Sequence, residues 1–229
     1  MSDQGKQLTQ TVGQDTAINL ARNVAMRALE HLVGSPSGRN ILDLACGDGN
    51  LSRWLSTYGA HVTSIDNSAE STEAAKLHEA AEPRRIDYIT GDAGDLYMID
   101  DSTFDDVICH LALDQFENIG PIVAEVSRVI KLGGRFIFSV GHPCFQWRLL
   151  EAGDSGNSYT MEGPGNGLSG EIWHRTISTY INSVAARGFT VRRVMEPSAD
   201  DHDVAKDPAL QVWKHIPVAL VVEAIFPHL

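Results

Sequence analysis

The residues that most clearly indicate ligand binding surround a turn early in the chain. The apolar run 41–44 contains Asp43, and Gly47 and Gly49 follow it directly before a helical pattern begins. In a strand–turn–helix unit of this kind, backbone N–H groups face a nucleotide-like ligand, and glycine lets the main chain approach that ligand closely. The Asp43 carboxylate would repel a pyrophosphate and attract a cationic amine or sulfonium. The spacing therefore predicts a site for a positively charged adenosine compound.

Further acidic residues follow the next two apolar runs. Asp66 lies 19 positions after Gly47, a separation at which a carboxylate can accept both hydroxyls of a ribose. Asp92 is placed to accept from an adenine amino group, with the Ala93 N–H meeting a ring nitrogen. In an open parallel sheet, ligands bind beyond the carboxyl ends of the strands. We therefore expect these acids to share one edge of a sheet.

Alternating strand and helix patterns would position these residues. Short apolar runs predict strands, and the segments between them carry apolar residues at helical spacing. The predicted strands are residues 40–45, 61–65, 86–90, 104–110 and 135–140, and the predicted helices are 51–58, 68–81 and 119–132, the last ending at Gly133-Gly134. Strand and helix in repeated alternation indicate a parallel sheet with helices on both faces.

An N-terminal segment, residues 1–38, precedes the first predicted strand. Within it, residues 17–32 carry apolar side chains at helical spacing, and Gly34 with Pro36 ends the run. We expect this helix to lie against or over the sheet as a cap.

The last third of the chain predicts one more helix and two strands. The helix is expected over about residues 171–187, with Gly188 as its cap. Strands are predicted at 190–194 and 219–226, and the polar stretch 196–207 between them has no clear helical pattern. This pair suggests an antiparallel strand added to a parallel sheet.

Composition limits the classes of function. The 229 residues are 43% hydrophobic and 21% charged, which fits a single domain (1–229) with insertions. The 30 acidic and 18 basic residues give a net charge of −12, so nucleic acid is unlikely as a partner. The chain has a polar start and no apolar run of membrane-spanning length. Together with three widely spaced cysteines, Cys46, Cys109 and Cys144, this predicts a soluble cytoplasmic protein with free thiols.

Taken in order, the motifs resemble the class I S-adenosylmethionine-dependent methyltransferases, of the type that acts on small molecules. The resemblance covers residues 39–141 and is carried by Asp-Leu-Ala-Cys-Gly-Asp-Gly, Ser-Ile-Asp-Asn-Ser, Thr-Gly-Asp-Ala, Phe-Asp-Asp-Val-Ile and Val-Ile-Lys-Leu-Gly-Gly-Arg-Phe. It implies an α/β, Rossmann-like, mostly parallel sheet of seven strands in the order 3-2-1-4-5-7-6, with strand 7 antiparallel. It also implies S-adenosyl-L-methionine as cofactor and methyl transfer to an O or N atom of a small organic acceptor.

The resemblance assigns ten residues to the cofactor. Around its methionine part the family pattern places Asp43, Ala45, Gly47 and Gly49. Against the ribose and adenine it places Asp66, Asn67, Asp92 and Ala93. Near the sulfonium it places main-chain groups of His110 and Leu111. Many members carry glycine where this chain has Ala45, and the small methyl group there predicts only modest crowding.

The acidic residues also have structural interpretations. Asp43 is a candidate helix N-cap, and Asp66 a candidate turn-former, which are the common roles of a single Asp after a strand. The occurrence of acids at successive strand ends favours the cofactor site over these roles. A NAD-type site would need a third small residue after the glycines, which Ser52 nearly supplies, but Asp43 argues against a pyrophosphate.

Three histidines are candidates for a catalytic base. Transfer from a sulfonium needs alignment and water exclusion, and a hydroxyl acceptor also benefits from a base, for which histidine is suited near neutral pH. His142, before Pro143, either projects toward the acceptor or anchors a turn by bonding to backbone. His110, beside the expected methyl position, is the second candidate. His174 is assigned to a solvated helix face, and neighbouring Arg175 to an acceptor anion or a surface ion pair.

The remaining assignments concern the acceptor. Asp114 and Gln115 could orient an acceptor amine, although Asp114 could equally cap a short turn. Residues 145–173 combine glycines with aromatic residues, including Trp147 and Trp173, and this mixture predicts a lid that encloses a small acceptor.

Two other functions stay open at this point. One is a methyltransferase acting on tRNA or protein, and the other is a regulatory domain that binds the cofactor without catalysis. No metal site is predicted, because the acids are spread over separate strand ends. Whether the chain forms a homodimer is also left open.

Overall fold

One seven-stranded sheet forms the centre of the molecule. The computed structural model describes residues 14–144, 159–167 and 170–228. Its strands are β1 (Asn40–Leu44), β2 (His61–Asp66), β3 (Asp87–Thr90), β4 (Phe104–His110), β5 (Ile130–Gly141), β6 (Gly163–Gly167), β7 (Gly170–His174), β8 (Thr190–Met195) and β9 (Ala219–Ile225). The sheet order is β3-β2-β1-β4-β5-β9-β8, with β9 antiparallel to both neighbours. Since β8 and β9 are its sixth and seventh strands, the predicted order 3-2-1-4-5-7-6 is confirmed.

Helices cover both faces of this sheet. They are α1 (Gln14–Val33), α2 (Asn50–Thr57), α3 (Ala69–Ala81), α4 (Gly120–Val129), α5 (Ile177–Ala185) and α6 (Asp201–Lys206), with 3₁₀ turns at Leu113–Gln115 and Pro208–Trp213. Ile41 of β1 packs with α1 and α2, whereas Leu42 and Leu44 pack on the opposite face with α4 and α5. Alternate residues of a strand point to opposite faces, so the apolar residues of β1 pack against helices on both sides of the sheet.

The N-terminal helix is joined to the sheet by an arginine whose side chain is only 12% exposed. Arg135 of β5 donates Nε and Nη2 to the two carboxylate oxygens of Asp106 on β4, at 2.8 Å each. The same guanidinium donates to the main-chain carbonyls of Leu32 and Val33, at 2.8 and 3.2 Å, in the last turn of α1. These carbonyls have no partner within the helix, so Arg135 supplies their hydrogen bonds while its ion pair with Asp106 links β5 to β4. The predicted helix over residues 17–32 is confirmed and lies against the sheet.

The predicted helix over residues 171–187 begins later than expected. Residues 170–174 form β7, which pairs antiparallel with β6, and α5 starts only after Thr176. The Thr176 hydroxyl accepts from the Thr179 N–H, and the Glu162 carboxylate accepts from the Thr176 N–H at 2.9 Å. These contacts stop the helix from extending toward its N-terminus. The apolar spacing before Thr176 therefore belongs to a hairpin.

Two further boundaries differ from the sequence-based expectation. The helix predicted over 119–132 ends at Val129, because the chain continues directly into β5, where Ile130 pairs with Phe104. The polar stretch 196–207 contains α6, although no helical pattern is visible there. This short helix is held by a reciprocal capping box between Asp200 and Asp203 and not by an apolar face.

No helix in the described ranges combines the length and apolar character that a bilayer crossing requires.

Replacing Asp106 with Asn should lower the free energy of unfolding by about 3 kcal/mol, because it removes the charge of the buried carboxylate that pairs with both Arg135 and Arg39. Urea denaturation followed by circular dichroism measures this change. Asp101→Asn is the matched control, since Asp101 pairs with Arg128 but its side chain is 75% exposed, and its effect should stay below about 1 kcal/mol. Equal effects of the two substitutions would contradict a structural role for the buried pair.

Candidate cofactor and acceptor site

The turn after β1 depends on three residues in the left-handed region. Ala45, Gly47 and Gly49 have φ values of 57°, 54° and 78°. A Cβ at Gly49 would lie 2.4 Å from the Tyr88 hydroxyl oxygen, so only glycine fits there. A Cβ at Gly47 would meet nothing within 4 Å, which leaves open space above the turn. Ala45 carries the cost of a positive φ that glycine avoids, which gives a backbone reason for the glycine that many family members have at this position.

Asp66 connects this turn to the end of β2. Its Oδ2 accepts from the Gly47 N–H at 2.8 Å, and its Oδ1 accepts from the Ser68 N–H at 2.9 Å. The second bond is the turn-forming role that the sequence also allowed. Each carboxylate oxygen offers about two lone-pair sites, so both oxygens keep room for a ligand hydroxyl. Asp66 can therefore hold the turn and a ribose at the same time.

Asp43 lies beneath the turn, fully buried within β1. Its Oδ2 accepts from the Ser52 hydroxyl of α2, and Ser52 accepts in turn from the Ser64 hydroxyl of β2 at 2.8 Å. Burial raises the Asp43 pKa to about 7, against the opposing Ser52 hydrogen bond and with a further increase from the Asp66 charge. The residue at the N-cap of α2 is Gly49, so Asp43 is not the helix cap that the sequence also allowed.

The residues assigned to adenine lie at neighbouring strand ends. Asp66 at the end of β2 pairs in register with Thr90 at the end of β3, so Asn67 and Asp92 follow adjacent strands. Both side chains are exposed, whereas Ala93 is buried. Asp92 Oδ1 accepts from the Gly94 N–H at 2.8 Å, which shapes the loop at this edge.

His110 ends β4 in an environment that disfavours its charged form. Its Nδ1 lies 2.8 Å from the Ser139 hydroxyl. Burial, and secondarily the charge of Arg22, lower the pKa of His110 to about 4. Leu111, with φ of 53°, donates its N–H to the Ser139 carbonyl at 2.9 Å. The Leu111 N–H is therefore already used, and the neutral His110 ring is a weak base at neutral pH.

His142 is buried just past the end of β5. Its side chain is 2% exposed, and its Nε2 lies 2.8 Å from Oε1 of Glu196, which is half exposed. Its Nδ1 is buried and has no hydrogen-bond partner among the described residues. The side chain bonds to a carboxylate and not to the backbone as the turn-anchoring interpretation required, although the His142 N–H donates to the Val218 carbonyl. Glu196, 54 positions away, carries no local sequence signal.

Residues assigned to the acceptor occupy different environments. Asp114 is buried in the 3₁₀ turn after β4, whereas Gln115 is exposed and donates its Nε2 to the Leu111 carbonyl at 3.1 Å. Trp173 is half-buried in β7. Trp147 lies outside the described residues.

The expectation for His174 was wrong, and so was the surface ion pair expected as one of two roles for Arg175. His174 ends strand β7 and is 2% exposed, with its Nε2 2.9 Å from the Tyr159 carbonyl, so it does not lie on a solvated helix face. Arg175 is also buried, and its Nη2 donates to the main-chain carbonyls of Phe116 and Glu117. Both side chains fix the hairpin to its surroundings through these bonds to main-chain carbonyls.

The described part of the predicted lid consists of residues 159–167 and 170–173. Residues 163–167 and 170–173 belong to the hairpin of β6 and β7, and residues 159–162 lead into it. The Tyr159 hydroxyl accepts from the Ile177 N–H at 2.8 Å, which joins this segment to the start of α5. Within the ranges that the structure describes, no three His, Cys, Asp or Glu side chains converge as metal ligands.

Comparisons with known proteins agree with this arrangement. A family model described as a methyltransferase domain matches residues 42–138. The chain is 35% identical over 103 residues to a ubiquinone biosynthesis O-methyltransferase from Xylella fastidiosa, covering 45% of this chain and 42% of that protein. It is 34% identical over 116 residues to a demethylmenaquinone methyltransferase from Leptospira interrogans, covering 47% of each. The match spans less than half the length of these curated relatives.

Solved structures extend the similarity over most of the chain. An S-adenosylmethionine-dependent methyltransferase from Mesorhizobium loti is 28% identical with a TM-score of 0.77, covering 88% of this chain and 97% of the other. A putative S-adenosylmethionine-dependent methyltransferase from Listeria monocytogenes is 26% identical with a TM-score of 0.76, covering 90% and 98%.

The raised pKa of Asp43 predicts a pH dependence of stability. Because the folded-state pKa of about 7 exceeds the ordinary value of 3.8, folding favours the protonated carboxyl, and this contribution is lost as pH rises from about 4 to about 7. Urea denaturation at pH 5 and pH 7.5 should therefore show a larger loss of stability for the parent protein than for Asp43→Asn. Asp48→Asn, in the exposed part of the same turn, should behave like the parent. Parallel pH profiles for the parent and Asp43→Asn would contradict the assignment.

Proposed function

The chain belongs to the class I S-adenosylmethionine-dependent methyltransferases, and from that premise we propose that it transfers a methyl group to an O or N atom of a small organic acceptor. One observation carries this proposal: a turn with open space above Gly47 is held by the Asp66 carboxylate at the carboxyl edge of the sheet. This is the edge at which ligands of open α/β sheets bind.

The residues at this edge fit the cofactor. When bound, S-adenosylmethionine supplies an electrophilic methyl group on a positively charged sulfur. Open space at Gly47 admits the close approach of a ligand, and the remaining lone pairs of Asp66 suit ribose hydroxyls. We assign to its binding the residues Asp43, Ala45, Gly47, Gly49, Asp66, Asn67, Asp92, Ala93, His110 and Leu111.

Charge at this edge favours a cationic ligand. The Asp43 carboxyl has a pKa of about 7, so a cation nearby would stabilise its ionised form. The low pKa of His110, about 4, keeps that imidazole neutral at physiological pH. Neutral His110 therefore adds no positive charge where a sulfonium would have to approach, and we assign it as a cofactor neighbour in preference to a base.

The acceptor side of the site rests on His142 and its surroundings. His142 is our first candidate for a base, because its ring is buried at the end of β5 and keeps one nitrogen without a partner among the described residues. Asp114, Gln115, Trp147 and Trp173 are proposed to contact the acceptor. The names of two relatives, a ubiquinone biosynthesis O-methyltransferase from Xylella and a demethylmenaquinone methyltransferase from Leptospira, support an organic acceptor of small size.

The remaining proposals concern the cellular compartment and the partners of the protein. Cys46 and Cys109, which form no disulfide, support a reducing compartment such as the cytoplasm. The net charge of −12 makes nucleic acid an unlikely partner. A membrane is not proposed as a partner, and a homodimer is compatible with this account.

Incubating the pure protein with methyl-labelled S-adenosylmethionine and separate pools of phenols, small amines, tRNA and peptides tests the proposal. We expect label in a small-molecule pool, because the buried His142 and half-buried Trp173 suit an enclosed acceptor. Heat-inactivated protein is the control. Label confined to tRNA or peptides would overturn the acceptor class, and cofactor binding without any labelled product would favour a regulatory domain.

A further inference from the structure

An imidazole–carboxylate pair, with the imidazole buried and the carboxylate half exposed, lies beside the proposed site. We infer that Glu196 is a positioning residue that holds His142 with Nδ1 as the proton acceptor, so that the enzyme methylates a hydroxyl oxygen of a phenol or alcohol. The inference rests on the proposed function. Its geometric basis is the 2.8 Å contact between His142 Nε2 and Glu196 Oε1 and the unpartnered Nδ1.

The contact determines which nitrogen carries the proton. A carboxylate only accepts hydrogen bonds, so Nε2 must donate to Glu196. In a neutral ring the proton on Nε2 leaves the lone pair on Nδ1, which makes Nδ1 the basic nitrogen. Glu196 is the carboxylate within ion-pair distance of His142 in the described part of the chain. The tautomer is therefore set by a single side chain.

The free nitrogen is buried at a cost to the protein. Nδ1 of His142 has no hydrogen-bond partner among the described residues and is shielded from water. A buried polar atom without a partner disfavours folding, and a catalytic role is one of the explanations for keeping such an atom. An acceptor hydroxyl would supply the missing donor. Because Nδ1 is shielded from water here, a hydroxyl bound to it would react in surroundings that exclude water.

Both members of the pair are held by the sheet. His142 follows Gly141 at the carboxyl end of β5, and its N–H donates to the Val218 carbonyl at 3.1 Å, next to the start of β9. Glu196 follows the last residue of β8 on the other side of β9. The neighbour of β5 on its other side is β4, which ends at the proposed cofactor contact His110. A base on a sheet edge of this kind has little freedom to reorient.

The chemistry of the acceptor determines whether a histidine–carboxylate pair contributes to methyl transfer. A neutral amine attacks a methyl group with its own lone pair and gains little from a fixed base. A hydroxyl must lose its proton as it attacks, so an oriented histidine accelerates it. The pair therefore favours a hydroxyl-bearing acceptor. His110 is less suited to this role, since its Nδ1 already faces the Ser139 hydroxyl at 2.8 Å.

The proposed step balances without a further reactant. The acceptor oxygen forms a bond to the methyl carbon while the carbon–sulfur bond breaks, and sulfur keeps that electron pair and becomes a neutral thioether. The hydroxyl proton passes to Nδ1 of His142. The resulting imidazolium is stabilised by the Glu196 carboxylate at Nε2 and later releases its proton to solvent.

The first test measures the tautomer and needs no activity. Long-range proton–nitrogen NMR spectra of the ¹⁵N-histidine-labelled protein should show His142 protonated at Nε2, with its signals assigned by their loss in His142→Asn. Glu196→Ala should give a mixture of the two neutral tautomers, and Glu196→Gln should restore the Nε2–H form because its amide oxygen still accepts. Protonation at Nδ1 in the parent protein would overturn the inference.

The second test measures turnover with phenol and amine pools and labelled cofactor. His142→Asn should lower the turnover number for phenols by about 10²-fold or more, and Glu196→Ala by about tenfold with KM nearly unchanged, because the loss lies in proton transfer. Glu196→Gln should recover part of that loss. Glu82→Gln, with a 76% exposed side chain, is the matched control and should match the parent.

The outcomes separate this inference from the proposed function. Label in phenols with Glu196→Ala as fast as the parent, or label in amines alone, overturns the inference and leaves the methyltransferase function intact. Absence of label in every pool, despite cofactor binding, overturns the proposed function, while the NMR spectra still decide whether Glu196 sets the tautomer.

Discussion

The site depends on the Asp66 carboxylate, which joins the end of β2 to the turn after β1. Its two oxygens accept from the Gly47 and Ser68 N–H groups at 2.8 and 2.9 Å. The turn can meet this carboxylate only because its backbone adopts positive φ values, and because Gly49 leaves room for Tyr88. A single side chain thus fixes the spacing between two strand ends and leaves acceptor capacity toward the ligand side.

Burial also determines the charges of the titratable side chains at the same edge of the sheet. Asp43 is held under the turn by hydrogen bonds through Ser52 to Ser64, and its pKa of about 7 leaves it poised between neutral and ionised forms. His110 is kept neutral by the same cause, since desolvation disfavours its cation. Low-dielectric surroundings therefore produce an edge where a ligand cation is favoured over an anion. This complements the geometry that Asp66 imposes.

Local patterns in the sequence were enough to predict the strands of a parallel sheet and the turn, whereas the order of the strands was implied by the resemblance to the methyltransferase family. Strand periodicity and the spacing of glycines and acids act within a few residues, so they are visible before folding. The positions of His174 and Glu196 were not predictable in this way. His174 was placed on a helix because apolar spacing ignores the Glu162 carboxylate that stops α5, and Glu196 meets His142 only across 54 positions of chain. Contacts of this kind arise from tertiary packing.

The most direct test of the account is the affinity for S-adenosylmethionine measured by isothermal titration calorimetry. The parent protein should bind it, and Asp66→Ala and Asp92→Ala should each bind it at least about tenfold more weakly, because each removes hydrogen bonds to a charged acceptor. Asp95→Ala, which removes an exposed carboxylate from the same loop as Asp92, should bind like the parent. Unchanged affinity in both site variants, or a parent protein that fails to bind the cofactor, would contradict it.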